Sequence, residues 1–186
     1  MSLRLRTARV DLRRFTADDL DLLVELDNDP AVMRYINGGL PVTRDEIADD
    51  YLPAFLAYYE RGDDYGFWAA VERRNARFLG WFHYRPEPGA GPLEPELGYR
   101  LHTAAWGRGF ATEVSTGLID DGFAARGVQR VNASTMAVNV ASRRVMEKVG
   151  MRLVRTFHAD WPVRIDGDEH GDVEYAITKD EWLASR

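Results

Sequence analysis

Cysteine is absent from this chain of 186 residues. That one absence removes disulfides, a thiolate zinc site and a cysteine nucleophile together. No stretch approaches the roughly 18 consecutive apolar residues of a membrane helix. The opening MSLRLRTARVDLRRF has charge but no apolar core of the kind a secretory signal needs, so the expected location is cytoplasmic. Met1 to Leu3 stand ahead of the first patterned segment and read as a remnant foreign to the natural chain. An excess of positive charge is missing too: the formal net charge is -6, whereas a nucleic-acid partner calls for a basic footprint. The acidic balance is that of a solvated surface and is mildly favourable to a cationic substrate. No internal repeat or low-complexity tract is visible. With 45% hydrophobic residues, the length suits one domain over residues 1–186 with a real core.

What is present alternates between strand and helix periods. RVDLRRF (9–15) reads as a first strand. Thr16 or Asp18 fits a helix start, and Leu20, Leu23, Val24 and Asp27 keep helical spacing until Pro30. A short helical piece runs through Val32, Met33 and Ile36 to Gly38-Gly39. Thr43 with Glu46 is a capping box opening a third helix over 44–62, which Pro53 kinks or splits. GFWAAVER (66–73) and RFLGWFHYR (77–85) read as aromatic-rich strands joined by Arg74-Asn75-Ala76. PEPGAGPLEP follows, with four of the chain's eight prolines. Neither flanking half is complete alone, so it reads as a long hairpin loop at a site's rim rather than a linker. A strand from Glu96, a long helix EVSTGLIDDGFAAR ending at Gly127 and a strand QRVNAST come next. The helix VASRRVMEKV, stopped by Gly150, and the strands MRLVRTFHA and DVEYAIT complete the order. This is a mixed α/β sheet.

The most informative stretch is ELGYRLHTAAWGRGFATE (96–113), a strand that breaks into two glycines around an arginine just where a helix begins. Small residues there let backbone N–H groups approach an anion, and the helix N-terminus adds free donors and partial positive charge. A tight connection with no ligand is the plainer reading of the same spacing. A Walker A loop is excluded, because no Gly-Lys-Ser/Thr follows. A dinucleotide fingerprint is excluded as well: Thr112 stands where a third glycine belongs, and RVNASTMAVN has no acid.

That stretch, together with NVASRRVMEKVGM, resembles the GNAT acyl-CoA-dependent N-acetyltransferases, and within them the branch that acetylates ribosomal-protein N-termini. The resemblance covers nearly the whole chain. It implies a single-domain α/β fold with a mixed, mostly antiparallel sheet flanked by helices, and a splayed strand pair at the coenzyme site. It implies acetyl-CoA as cosubstrate and a primary amine as acceptor. Charge, ligand spacing and the lack of a long apolar run set the expectation of no nucleic-acid partner, metal or membrane, and edge strands with the long aromatic helix permit a homodimer. By the same resemblance Trp106, Gly107, Arg108, Gly109, Phe110, Ala111 and Thr112 hold the pyrophosphate. Trp106 sits where the wider family has Gln or Arg. Tyr99, Arg100 and Leu101 would offer their backbone edge to the pantetheine arm.

Acetyl transfer needs a neutral amine, a positioned thioester, a stabilised oxyanion and a proton for the leaving thiolate. Without cysteine, direct attack on the thioester is the economical route. Glu96 is the candidate base, or else a strand-start acid paired with Arg100 or another arginine; as a base near neutrality its carboxyl needs an upward shift. Strand alternation puts Glu96, Gly98 and Arg100 on one side and Leu97, Tyr99 and Leu101 on the other, with Gly98 leaving room beside the carboxylate. Asn139 is a good N-cap and Ser142 a neutral first-turn residue. The resemblance implies instead that Asn139 hydrogen-bonds the pantetheine and Ser142 lies close to the coenzyme. Met146 occupies the position from which the family often donates a proton through tyrosine, and a thioether has none to give. Water, Ser142, Tyr99 or His102 is left for that task. A noncatalytic acyl-CoA sensor is the alternative that this gap favours.

Three features invite other readings. DGDEHGD (166–172) imitates a calcium loop, but position twelve is Ile177, so a solvated acidic loop is expected. The histidines at 83, 102, 158 and 170 lack paired ligand spacing. Arg143, Arg144 and Lys148 read as a solvated helix face or an attraction for the adenosine phosphates, and Tyr35, Tyr58, Tyr59 and Trp81 as core or a substrate pocket.

Overall fold

The computed structural model describes residues 3–62, 64–161 and 163–186. Their strands are β1 (Leu3–Arg6), β2 (Val10–Arg13), β3 (Gly66–Glu72), β4 (Arg77–Pro86), β5 (Pro95–Leu101), β6 (Arg130–Met136), β7 (Arg152–Phe157) and β8 (Asp172–Thr178). They form one sheet in the order β1-β2-β3-β4-β5-β6-β8-β7. Every pairing is antiparallel except β5 with β6, which are parallel. Among the described residues no helix is long and apolar enough to cross a membrane.

The period-two alternation of β4 divides the core between two faces. Phe82 and Tyr84 point to one side and pack with Phe110, Val114 and Leu118 of α5 (Phe110–Ala125). Trp81 points to the other, against Leu23 and Leu26 of α1 (Leu20–Asp27) and Leu52 of α4 (Leu52–Ala57). Each large side chain buried in this way contributes about 2 kcal/mol, so neither face can be left uncovered. On the α1 face lie also α2 (Pro30–Asn37) and α3 (Arg44–Glu46). On the α5 face, α6 (Val140–Lys148) caps β6 with Met146 buried. The chain ends in α7 (Lys179–Ala184).

Four departures from the pattern have physical causes. The expected first strand is β2, and β1 pairs ahead of it, so Leu3 belongs to the sheet; Met1 and Ser2 lie outside the described residues. What hides β1 is Arg4, which points inward, over the Trp68 ring at 5.3 Å and 2.7 Å from Asp121. The third helix holds its Thr43 cap, but it widens into a π-helical turn over Ile47–Tyr51 before resuming at Leu52. Pro53 has no N–H to donate and crowds the carbonyl four residues back, so the disturbance falls one turn upstream of the proline. The long helix begins at Phe110, three residues before Glu113. Finally, α7 is held by a capping box in which Thr178 and Glu181 bond reciprocally. The proline-rich segment is a hairpin loop, as expected, with Pro86 facing Pro95 at its base.

Candidate active site

β5 and β6 share one paired position, Glu96 with Asn132. Beyond it they diverge, and the gap opens along the rest of β5. The β4–β5 ladder decides which backbone groups face that gap. His102 N–H donates to Leu79 C=O at 2.9 Å. With Arg100 opposite Trp81 and Gly98 opposite His83, antiparallel alternation turns Arg100 and Gly98 toward β4, and Tyr99 and Leu101 toward the gap. The Leu101 carbonyl is already taken by Trp106 Nε1–H at 2.8 Å. Of the three residues expected to offer an edge, Tyr99 therefore presents both its N–H and its C=O. Arg100 instead sends its side chain to the α1 face, where Nη1 lies 2.6 Å from Asp27.

After β5 the chain passes a short 3-10 turn (Thr103–Ala105) and enters the glycine turn. Gly107 and Gly109 take φ of 68° and 77°, left-handed values that favour glycine. Gly109 is the N-cap of α5 and supplies no side chain, so the first amides of α5 keep no cap. Phe110 is buried in the core and can offer a ligand only its backbone. Arg108 lies over the Phe110 ring at 4.8 Å and donates to Glu72 at 3.3 Å. Glu113 does not repel an anion here: it accepts from Thr7 Oγ1 at 2.6 Å and from Arg9 N and Nε at 2.8 and 2.6 Å. Burial would raise its carboxyl, but these donors together hold it below the usual range. Arg9, Arg73, Arg74 and Arg108 surround an open cavity on this flank. Uncapped amides, a left-handed N-cap and surrounding arginines fit a diphosphate.

A second cavity of about 220 Å³ runs through the splay. On the α6 side it is walled by Tyr99, Ser142 and Met146, and on the α1 side by His83, Glu96, Trp81 and Tyr35, with Trp161 beside them. Ser142 lies within hydrogen-bonding reach of the Tyr99 phenol; burial keeps that phenol above its usual range, and Ser142 offsets this only in part. Asn139 caps α6: its Oδ1 accepts from Ser142 N–H at 3.3 Å while its Nδ2 donates to Thr135 Oγ1 at 3.0 Å. Met146 lines the same wall with a thioether that has no proton to donate.

Glu96 faces neither Arg100 nor open water. Its Oε2 is 3.4 Å from His83 Nε2, with both side chains largely buried. Burial acts to raise the carboxyl, yet His83 and then Arg85 outweigh it and the net shift is downward. The upward shift wanted of a lone carboxylate base is not there. Gly98 does leave room beside the carboxylate, and the imidazole of His83 fills it: a Cβ at position 98 would lie 2.4 Å from Nε2.

The structure thus brings Glu96, Tyr99 and Ser142 to one cavity, with the glycine turn further along the same strand. His83 was missed, because its membership follows from strand register and not from spacing along the chain; Trp161 was missed because it arrives on an irregular loop. The acidic loop is solvated at Asp166, Glu169 and His170, as expected, but two of its aspartates are engaged. Asp172 is buried and accepts from Ala159 N–H at 3.1 Å and Trp161 Nε1–H at 3.2 Å, while Asp168 pairs with Arg164 at 3.1 Å. Arg143 is not a purely solvated residue: it donates to Ala137 C=O at 3.0 Å and to Tyr175 Oη at 3.3 Å.

Comparison with known proteins agrees with this geometry. The sequence profile of the acetyltransferase (GNAT) domain matches residues 9–152. An FsC-acetyl coenzyme A-N(2)-transacetylase of Aspergillus fumigatus is 30% identical over 185 residues, spanning 96% of this chain and 77% of that protein. YnaD, an uncharacterized N-acetyltransferase of Bacillus subtilis, is 26% identical across 97% of this chain and 99% of its own. Among solved structures, the ribosomal α-N-protein acetyltransferase RimL in complex with coenzyme A matches with a TM-score of 0.78. That match covers 95% of this chain and 98% of RimL at 16% identity, a likeness of fold alone.

Proposed function

The chain belongs to the GNAT acetyltransferase family, and from that premise we propose that it moves an acetyl group from acetyl-CoA directly to a primary amine within a ternary complex. The observation that carries this reading is the cavity through the splay. It joins a wall bearing Glu96 to a wall bearing Ser142, so two substrates entering from opposite faces of the sheet meet at one place. With no cysteine in the chain, a direct attack needs only this juxtaposition.

In this reading the amides from Gly107 to Thr112, with Arg108, hold the pyrophosphate, and Trp106 orders the turn through its bond to Leu101. The pantetheine arm pairs with the Tyr99 backbone, as a third strand would. Asn139 holds the start of α6 and offers its amide to the same arm. Glu96 is the carboxylate that serves deprotonation of the incoming ammonium. Ser142, backed by the Tyr99 phenol, presents a hydroxyl to the leaving sulfur, which replaces the donor that Met146 lacks. Burial raises the phenol above its usual range, so its support is a hydrogen bond from a retained proton rather than transfer of that proton.

The test is thiol release from acetyl-CoA over a panel of amines: N-terminal peptides, polyamines, aminoglycosides and small amino compounds. Release with at least one is expected. Tight coenzyme binding without turnover across the whole panel would favour a noncatalytic acyl-CoA sensor, the reading to which Met146 lends weight.

A further inference from the structure

We infer that His83 is the group that takes the proton from the incoming ammonium, and that Glu96 acts behind it by orienting and stabilising the imidazole. The inference rests on the acetyltransferase reading and deepens it.

Its basis is geometric. His83 sits mid-strand on β4, directly across from Gly98. Its ring lies flat over that glycine, where any Cβ would meet Nε2 at 2.4 Å and Cε1 at 2.7 Å. Position 98 must therefore be glycine for His83 to reach the cavity. Aromatic neighbours hold the ring: Phe67 meets it edge-on at 5.6 Å and Trp81 lies tilted against it at 6.0 Å. Its Nε2 is buried 3.4 Å from Glu96 Oε2, close enough for an ion pair but with no hydrogen bond formed to any polar group of the described residues. No hydrogen bond among the described residues engages Nδ1, and the imidazole lines the cavity wall. A carboxylate beside the far nitrogen stands where a group that orients an imidazole base belongs, and a small rotation of either side chain would complete the bond.

Charge favours the same division of roles. Glu96 is a carboxylate held low, so by itself it keeps an abstracted proton poorly, whereas imidazole as a class exchanges protons near neutrality. The other charged or titratable groups around the ring are Arg85 and Glu87 near the end of β4, Arg100 on β5 with Asp27 of α1 behind it, and Tyr35 of α2. Arg100 is matched by Asp27, so Glu96, with Glu87 near the strand end, is left to stabilise an imidazolium. The step balances. The ammonium gives its first proton to the ring, which passes it to solvent; the neutral nitrogen attacks the thioester carbonyl; the C–S bond breaks; and the second nitrogen proton goes to the sulfur.

The experiment compares the full chain with His83→Gln, Glu96→Gln and Gly98→Ala, using the best amine from the panel above. His83→Gln should lower kcat about a hundredfold or more, leave the KM for acetyl-CoA unchanged and remove the acid limb of the pH–rate profile. His83→Ala should regain part of the rate when imidazole is added to the buffer. Gly98→Ala keeps every titratable group but displaces the ring, and should lose the same limb. A His83→Gln enzyme with wild-type rate and profile, beside an inactive Glu96→Gln, would overturn the inference in favour of the carboxylate acting alone. A readout that needs no acceptor is the ring nitrogen-15 NMR of His83. The Nε2–H tautomer with bare Nδ1 is expected, and the Nδ1–H tautomer overturns the inference. Failure of the acetyltransferase reading looks different: the wild type then releases no thiol with any amine.

Discussion

Arg100 of β5 and Asp27 at the end of α1 meet at 2.6 Å beneath the cavity wall, with side chains 14% and 4% exposed. The guanidinium also lies over the Trp81 ring at 5.0 Å, so one ion pair joins the splayed strand to the helices of the opposite face. Burial pushes the Asp27 carboxyl above its ordinary range, and Arg100 pulls it back only in part. A carboxyl raised in the folded state contributes stability below the range of an unfolded aspartate and loses it as pH rises through the folded value. Arg100→Ala removes the main opposing charge. It should cost about 3 kcal/mol near neutrality, with a steeper decline toward high pH than the wild type. Urea midpoints over about pH 4 to 8 check this; parallel curves for the two proteins would refute it.

Gly109→Asp tests the phosphate assignment. A side chain at φ of 77° is strained, and the new carboxylate would stand at the N-terminus of α5 where an anion is to bind. The variant should stay folded yet lose the rise in Tm that coenzyme A gives the wild type. Undiminished protection by coenzyme A would move the phosphates elsewhere.

Ser142→Ala and Tyr99→Phe address the proton for the leaving sulfur. The Asn139 cap accepts from the backbone of residue 142, so Ser142→Ala keeps the helix start. It should lower kcat by about tenfold or more while leaving the acetyl-CoA KM near the wild-type value. Tyr99→Phe should act in the same direction but less. Equal kcat in all three proteins would assign that proton to water.

Arg4→Ala tests whether β1 belongs to the fold. Arg4 is buried against Trp68 and Asp121, and truncation leaves Asp121 without that guanidinium. A loss of about 2 kcal/mol is expected, read as a lower midpoint in thermal or urea unfolding. An unchanged midpoint would show β1 to be an appendage.

The legibility of the site followed the distance over which each feature is encoded. The glycine turn, the Thr43 and Asn139 caps and the alternation of β5 are local: each depends on residues within one turn or one strand, and each stands where the pattern placed it. Helix and strand types for the long periodic segments were legible for the same reason. β1 was not, because Arg4 occupies an inward position and breaks the polar-out rule. The π-helical turn was not, because a proline announces a disturbance without stating which carbonyl yields.

Glu96 shows the limit most clearly. Its place on a face with Gly98 and Arg100 was readable from alternation. The partner that sets its charge was not, since His83 lies on the other arm of a hairpin closed by an eight-residue loop (87–94) that does not by itself dictate register.

The residues alone determined a cysteine-free α/β chain with a glycine turn between a strand and a helix. They also determined a carboxylate and a serine on elements suited to face a ligand, since these are matters of composition, period and short spacing. Only the folded sheet decided that β5 leaves β6 after one paired position, that Arg100 belongs to Asp27, and that an imidazole lies across Gly98 against Glu96. Such choices arise where strands distant in sequence compete for the same backbone partners and buried charges must find neighbours, and no local pattern carries that information.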